Sequence, residues 1–249
     1  VIELFRDFYV DQDLPAIYFK SLDSIIVSDI HIGFEEEMAR KGIYLPRLQK
    51  RKFIETVTRA IESFKTNKLI INGDIKHRLD GLGFQERKDL EEVFKILKDH
   101  GVEIRLIRGN HDTYISVVIE KFDNIVLLDK IEYDNIIIFH GHKNIIPEKG
   151  KTYIIGHEHP RLSIRDRIGI ARKFACFLLS PLKNEANVVV LPALGGYQAG
   201  NDVSLSHSSY MTNLMREYSI LEKAKPYIII EGEGIMEFPE LRFLKDLIL

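Results

Sequence analysis

Five short clusters in this 249-residue sequence carry side chains that bind divalent metals: Asp29-Ile30-His31, Gly73-Asp74, Gly109-Asn110-His111-Asp112, His140-Gly141-His142 and Gly156-His157-Glu158-His159. Carboxylates, imidazoles and an amide, without thiolates, suit Mn²⁺, Fe or Zn²⁺ better than a soft-metal centre. The groups are too many for one ion, and about as many as two ions sharing a bridging carboxylate require. Two divalent ions about 3.5–4 Å apart clamp a phosphate and make water a nucleophile at neutral pH. The spacing of two in Asp29/His31 and His157/His159 lets both members of a pair face one site. A lone Asp after a strand is ordinarily a cap or turn residue. It is the ordered set that argues for ligands.

Each cluster follows a short run rich in β-branched residues: 24–28, 69–73, 104–109, 136–139 and 153–156. Runs of this kind suit strands buried on both faces, and groups just past their carboxyl ends share one crevice of an open α/β sheet. Between the first runs, Phe53, Val57, Ala60, Ile61 and Phe64 fall on one face of a helix over 47–64. Leu90, Val93, Phe94 and Leu97 do the same over 86–100, with Gly101 placed as a C-terminal cap. Strand–helix alternation over 24–108 predicts βαβ units. Beyond residue 130 short strands follow one another (161–165, 168–171, 173–180, 187–191), with a tight turn at Asp166-Arg167. A hairpin joins 227–230 to 235–238. Residues 194–216 read as a long loop, a place where function often resides.

Composition narrows the class. Lys+Arg total 35 against 37 Asp+Glu, so the surface as a whole is no polyanion anchor, although a local basic patch is compatible. The single cysteine, Cys176, excludes an intramolecular disulfide framework and any multi-thiolate zinc site. No apolar run reaches the roughly 20 residues of a membrane span and the first residues lack a signal-peptide layout, so a cytoplasmic protein with no membrane partner is expected.

In order and residue type the clusters resemble the calcineurin-like metallophosphoesterase pattern: D-x-H, G-D, G-N-H-D/E, a lone His, then G-H-x-H, over residues 29–159. The flanking text, Ser28 to Glu35, Gly73 to His77, Gly156 to Pro160 and Leu191-Pro192-Ala193 to Val203, is similar to archaeal phosphoesterases related to the SbcD and Mre11 nucleases. The resemblance implies an α/β fold of four layers, α/β/β/α, with two mixed sheets flanked by helices. One domain over 1–249 is expected, its motif-bearing core at about 24–203 and a C-terminal hairpin and helix packed on it. It also implies two divalent ions, Mn²⁺ first, with Fe, Zn²⁺ or Ni²⁺ as alternatives. Asp29, His31 and His159 would hold one ion, Asn110, His140 and His157 the other, and Asp74 would bridge. His111 would protonate the leaving oxygen or hold the phosphate, and Asp112 would orient His111 or neighbouring backbone. The reaction implied is attack of a metal-bridging hydroxide on a phosphoester, with phosphodiesters, DNA or RNA among them, favoured over monoesters.

The sequence departs from the family at one place. Many members read G-D-x-x-D at the second motif, where this chain has Gly73-Asp74-Ile75-Lys76-His77-Arg78. His77 would contact substrate, orient His111 or stand by. His142 competes with His140 as a ligand or faces substrate, and Arg161, just past His159, could reach a phosphate. Around Arg47, Lys50, Arg51 and Lys52 the basic run reads first as a solvated helix face. Rival readings are a small-molecule phosphomonoesterase or nucleotide phosphodiesterase, and a non-catalytic protein-binding scaffold. A scaffold has no need of the full ligand set. The oligomeric state is open, a homodimer included.

Overall fold

A computed structural model describes residues 1–165 and 171–248. The first sheet runs in chain order: β1 (Ile2–Phe5), β2 (Phe8–Val10), β3 (Ile17–Phe19), β4 (Ser24–Val27), β5 (Lys68–Asn72), β6 (Glu103–Ile107) and β7 (Ile125–Leu128). Pairing is antiparallel from β1 to β4 and parallel from β4 to β7. The helices α1 (Phe34–Arg40), α2 (Gln49–Phe64), α3 (Phe84–Asp99) and α4 (Ser116–Ile119) fall within the parallel half of the chain. The second sheet holds β8 (Ile131–Tyr133), β9 (Ile136–Ile138), β10 (Thr152–Ile155), β11 (Pro160–Arg165), β12 (Ala171–Pro181), β13 (Asn187–Val190) and β14 (Asn201–Asp202). Their order is β14-β11-β12-β13-β10-β9-β8, and β15 (Lys225–Ile230) and β16 (Gly234–Glu237) extend it from β12. It too is mixed: β9, β10 and β13 run parallel, while β12 pairs antiparallel with β11, β13 and β15.

Three apolar cores separate the layers. On β5, Leu69 and Ile71 pack with Phe53, Val57, Leu90 and Phe94 of α2 and α3. Ile70, between them, turns to the other face and meets Ile138, Ile154 and Val189 of the second sheet. Alternation thus sends a continuous apolar run into two cores, which is why such a strand lacks a polar face. Each such side chain contributes roughly 1.5–3 kcal/mol when fully buried. The outer face of the second sheet is covered by Val203, Tyr210, Leu214, Met215, Leu221 and Leu241. These lie on the 194–224 segment and the C-terminal end, in short 3₁₀ and wide turns, so the fourth layer is helical only in single turns.

Several sequence expectations need adjustment. The helices read at 47–64 and 86–100 run Gln49–Phe64 and Phe84–Asp99. The expected C-terminal helix is a 3₁₀ turn, Leu241–Phe243; Pro239 biases the residue before it toward extended backbone. The turn at Asp166-Arg167, and most of the strand expected at 168–171, lie outside the described residues. Cys176 is buried within β12, as a small apolar residue would be. Among the described residues no helix is long and apolar enough to cross a membrane.

Candidate dinuclear metal centre

The carboxyl ends of five strands converge. Asp29 and His31 follow β4, Asp74 follows β5, Asn110 and His111 follow β6, His140 follows β9, and His157 and His159 follow β10. Two trios emerge, Asp29/His31/His159 and Asp74/His140/His157. Within each, one potential ligand atom per residue lies within 4.8 Å of the others. The backbone reaches this arrangement through an uncommon device. Asp29, His31, Asp74, His157 and His159 all have positive φ, between 47° and 67°. Left-handed backbone at a non-glycine residue costs roughly 1–2 kcal/mol, and such strain gathers at functional sites where the surroundings enforce it. At Asp29, His31 and Asp74 a network of main-chain bonds does so: Asp29 N–H donates to the Gly73 carbonyl (3.1 Å), Ile30 and His31 N–H to the Asp74 carbonyl (3.0 and 2.9 Å), and Gly195 N–H to the Asp29 carbonyl (3.0 Å). The strand ends are therefore turned, where spacing alone suggested an extended or looped path.

The electrostatics call for cations. Asp29 and Asp74 are buried, and the partners within ion-pair distance among the described residues are histidines, not Lys or Arg. Burial pushes the Asp74 carboxyl upward, but the nearby His140 and His31 outweigh it and hold it well below the usual carboxylate range. Burial also opposes ionisation of Asp29, where His159 and His140 prevail in the same way. Burial disfavours the His140 imidazolium too, yet Asp74 and Asp29 raise it to about 9. His31 goes the opposite way, to about 3, because burial exceeds the pull of Asp74 and Asp29. A buried pair of carboxylates needs compensating positive charge.

The donor set fits metal ions by a direct observation. His31 Nε2, His140 Nε2, His159 Nε2 and Asn110 Oδ1 are buried and make no hydrogen bond, although Asp74 or Asp29 oxygens lie 3.0–3.9 Å from the three ring nitrogens. Orphaned buried polar atoms are rare and demand a partner. The opposite ring nitrogen of His140, Nδ1, donates to the Asn72 carbonyl (2.8 Å), so Nε2 is the nitrogen that faces the site.

Two glycines let the strand ends approach. A Cβ at Gly109 would overlap the Asp74 carboxylate, and one at Gly73, where φ is +83°, would strike the His140 ring. Asp112 braces the same junction. Its buried Oδ2 accepts from Asp74 N–H and Gly109 N–H (both 2.8 Å), and Oδ1 from Ile75 N–H (3.0 Å). Burial and the adjacent Asp74 raise its carboxyl to about 6. Of the two roles expected for it, holding neighbouring backbone matches the geometry, and its carboxylate oxygens are engaged by main chain rather than by His111.

His111 N–H donates to Asp74 Oδ1 (2.9 Å), and its Nδ1 donates to the His77 carbonyl. His77 Nδ1 lies 3.3 Å from His31 Nδ1, and its ring stacks on that of His111 at 5.5 Å. His31, His77 and His111 form a third close trio. These three, with Phe34, Asp74, His157, His159 and the wall Tyr197–Asn201, line an open cleft of about 450 Å³. His142 packs beside His140, 5.4 Å between ring centroids, and is absent from all three trios. Arg161 does not face this cleft. One guanidinium nitrogen donates to the Gln198 carbonyl (2.8 Å), and Arg161 lines a neighbouring groove.

Three supporting residues escaped the sequence reading. Glu158, inside the last motif, accepts from the main chain of Met211 and Thr212 and from Asn201, tying the 194–216 loop to the histidines on either side of it. Glu86 of α3 accepts from His77, Arg78 and Gly83 N–H. Gln49 of α2 bonds the Ile30 carbonyl and Gly196 N–H. For Glu86 and Gln49, a polar residue buried on an otherwise apolar helix face was the available signal.

Comparison with known proteins decides the family. Residues 24–191, more than half of the chain, match the calcineurin-like phosphoesterase family. The chain belongs to that family. It is accordingly a metal-dependent hydrolase of phosphoester bonds. The phosphoesterase fold is shared with a nuclease, MPE, from Pseudomonas putida: TM-score 0.61, 20% identity, covering 90% of this chain and 93% of that one. YfcE, a phosphoesterase from E. coli, aligns at TM-score 0.40 and 13% identity over 87% of this chain and 98% of that one. No curated protein matches the phosphoesterase.

Proposed function

We propose that this phosphoesterase is a phosphodiesterase of nucleic-acid strands that uses two divalent ions. The observation that carries the reading is the pair of ligand trios with orphaned ring nitrogens turned between two buried carboxylates. Asp29, His31 and His159 would hold one ion, Asn110, His140 and His157 the second, and Asp74 both. Mn²⁺ suits this oxygen- and imidazole-rich set. Bound there, the ions would polarise the phosphoryl oxygens and acidify water.

The chain's own groups supply the rest. His111 lies at the cleft with Nδ1 committed to the His77 carbonyl, so Nε2 is the atom that meets substrate and passes a proton to the leaving oxygen. His77 positions two rings at once, His31 through the nitrogen contact and His111 through its carbonyl. That makes the departure at the second motif a brace rather than a loss. Asp112 keeps Gly109 against Asp74 and so positions Asn110 and His111.

Preference for diesters rests on the resemblance of the Ser28–Glu35, Gly156–Pro160 and Leu191–Val203 segments to the SbcD- and Mre11-related branch. The structural neighbour that is itself a nuclease, and a cleft open along the Tyr197–Asn201 wall, support it. A substrate panel with Mn²⁺, Mg²⁺ and Zn²⁺ tests it. Single- and double-stranded DNA and RNA, bis(p-nitrophenyl) phosphate and p-nitrophenyl phosphate would be compared. Turnover of strands and the diester, with little of the monoester, is expected. Turnover confined to monoesters would replace this reading by the small-molecule one.

A further inference from the structure

Beside the histidine cleft, sharing Tyr197 with it, lies a second groove of about 530 Å³. Four cations line it, three from α2 and one from β11. Arg59 is matched by Asp13 at 2.6 Å and Arg51 by Glu55 at 3.5 Å. Lys52 and Arg161 have no carboxylate within 4 Å among the described residues, and Glu231 is the remaining acid on the wall. Lys52 is exposed overall, but partial shielding of its ammonium from water lowers it, and Arg161 lowers it further, against the pull of Glu231. Two cations that repel each other across a groove form a site that an anion relieves.

The groove is built onto the metal centre. Arg161 stands two residues past His159, so their Cα atoms are at most about 7 Å apart. Its stem packs on Gly200, where φ is +70° and a Cβ would come within 2.6 Å of the His159 carbonyl and 2.8 Å of Arg161 Cδ. The bond to the Gln198 carbonyl fixes one end of the guanidinium and leaves other donors of its fork unassigned. Tyr197 lines both the groove and the histidine cleft, its hydroxyl donating to the Pro46 carbonyl (2.6 Å) and its ring stacked on Phe34.

We infer that Lys52 and Arg161 form a second phosphate site, which takes a non-scissile phosphate of the strand whose scissile phosphate lies at the metals. Substrates with one phosphate fill the cleft alone; a strand fills cleft and groove. This rests on the phosphodiesterase reading and adds to it a requirement for more than one phosphate.

Binding of a fluorescein-labelled single-stranded phosphorothioate oligonucleotide, chosen to resist cleavage, to the Mn²⁺-loaded protein, followed by anisotropy across a salt series, tests it. Lys52 is exposed on α2, so replacing it does not threaten the fold. Lys52→Gln should weaken binding roughly tenfold and flatten the log–log salt dependence by about one. Glu231→Gln should tighten binding, because it removes the competing acid. Lys50→Gln, on the same helix but paired with Asp89 and Glu92, is the control for a diffuse charge effect. Equal losses from Lys50→Gln and Lys52→Gln, no loss from Lys52→Gln, or no strand binding by the wild type would each overturn the second site. Wild-type turnover of bis(p-nitrophenyl) phosphate with Mn²⁺ judges the phosphodiesterase reading separately. That reading can survive while the groove fails.

Discussion

Replacing Asp112 by Ala separates a brace from a catalyst. The carboxylate satisfies three buried main-chain donors at 2.8–3.0 Å, on Asp74, Ile75 and Gly109. Removing it leaves those N–H groups without acceptors, at about 1–3 kcal/mol each, or about 3–9 kcal/mol together. Burial of the carboxylate beside Asp74, which raises it to about 6, works against that loss. The net therefore falls toward the lower end, about 3 kcal/mol. For a chain of this size about 3 kcal/mol corresponds to a melting temperature lower by roughly 6–12 °C. Denaturant unfolding of the metal-free proteins measures the difference, and elemental analysis measures the metal that each retains. Asp112→Ala should be less stable and poorer in metal, because the loops that carry Asp74 and Asn110 lose their common anchor. A variant within about 1 kcal/mol of wild type, with full metal content and abolished turnover, would refute the bracing role and assign Asp112 to the chemistry.

Other outcomes follow from the same geometry. His111→Ala should lose about 10²–10⁴-fold in kcat on phosphodiesters while keeping its metal; wild-type rates would remove His111 from the reaction. Gly109→Ala should cost about 1–3 kcal/mol through overlap with Asp74, read by thermal unfolding, and an unchanged melting temperature would contradict the close packing. In metal-free protein the His140 imidazole, raised from 6.5 to about 9, favours the fold fully below pH 6.5. That contribution, up to about 3 kcal/mol, is lost as pH rises through 9. His31, lowered to about 3, and His77, His142 and His157, lowered to about 4, act in the opposite sense and destabilise the fold as pH falls below 6.5. Unfolding at pH 5, 6.5 and 9 should therefore find greatest stability near the middle value, and a rise from 6.5 to 9 would contradict the assignment.

Much of this was legible because the fold expresses it locally. The apolar runs before each cluster became β4, β5, β6, β9 and β10, and the period of Phe53, Val57 and Ala60 became α2. Through the family resemblance, residue order grouped Asp29 with His31 and His159, and Asn110 with His140 and His157, with Asp74 as a bridge; the fold brings Asp29, His31 and His159 together, and Asp74, His140 and His157. What spacing could not show was the left-handed turn at five of these positions; at Asp29 and His31 it goes with bonds to Gly73, Asp74 and Gly195, distant in sequence. Arg161 illustrates the limit in the other direction. Proximity to His159 in sequence suggested contact with the same phosphate, but its guanidinium donates to the Gln198 carbonyl and Arg161 lines the neighbouring groove. The short antiparallel strands β1–β3 escaped notice because three- and four-residue runs carry too little period to separate from loop.

The most direct test counts metal. Purified protein loaded with Mn²⁺ and freed of excess should hold two ions per chain by elemental analysis, with Asp29→Asn holding about one and Asp74→Asn close to none. Wild-type protein that holds no ion, or that hydrolyses bis(p-nitrophenyl) phosphate equally well after exhaustive chelation, would contradict the dinuclear account.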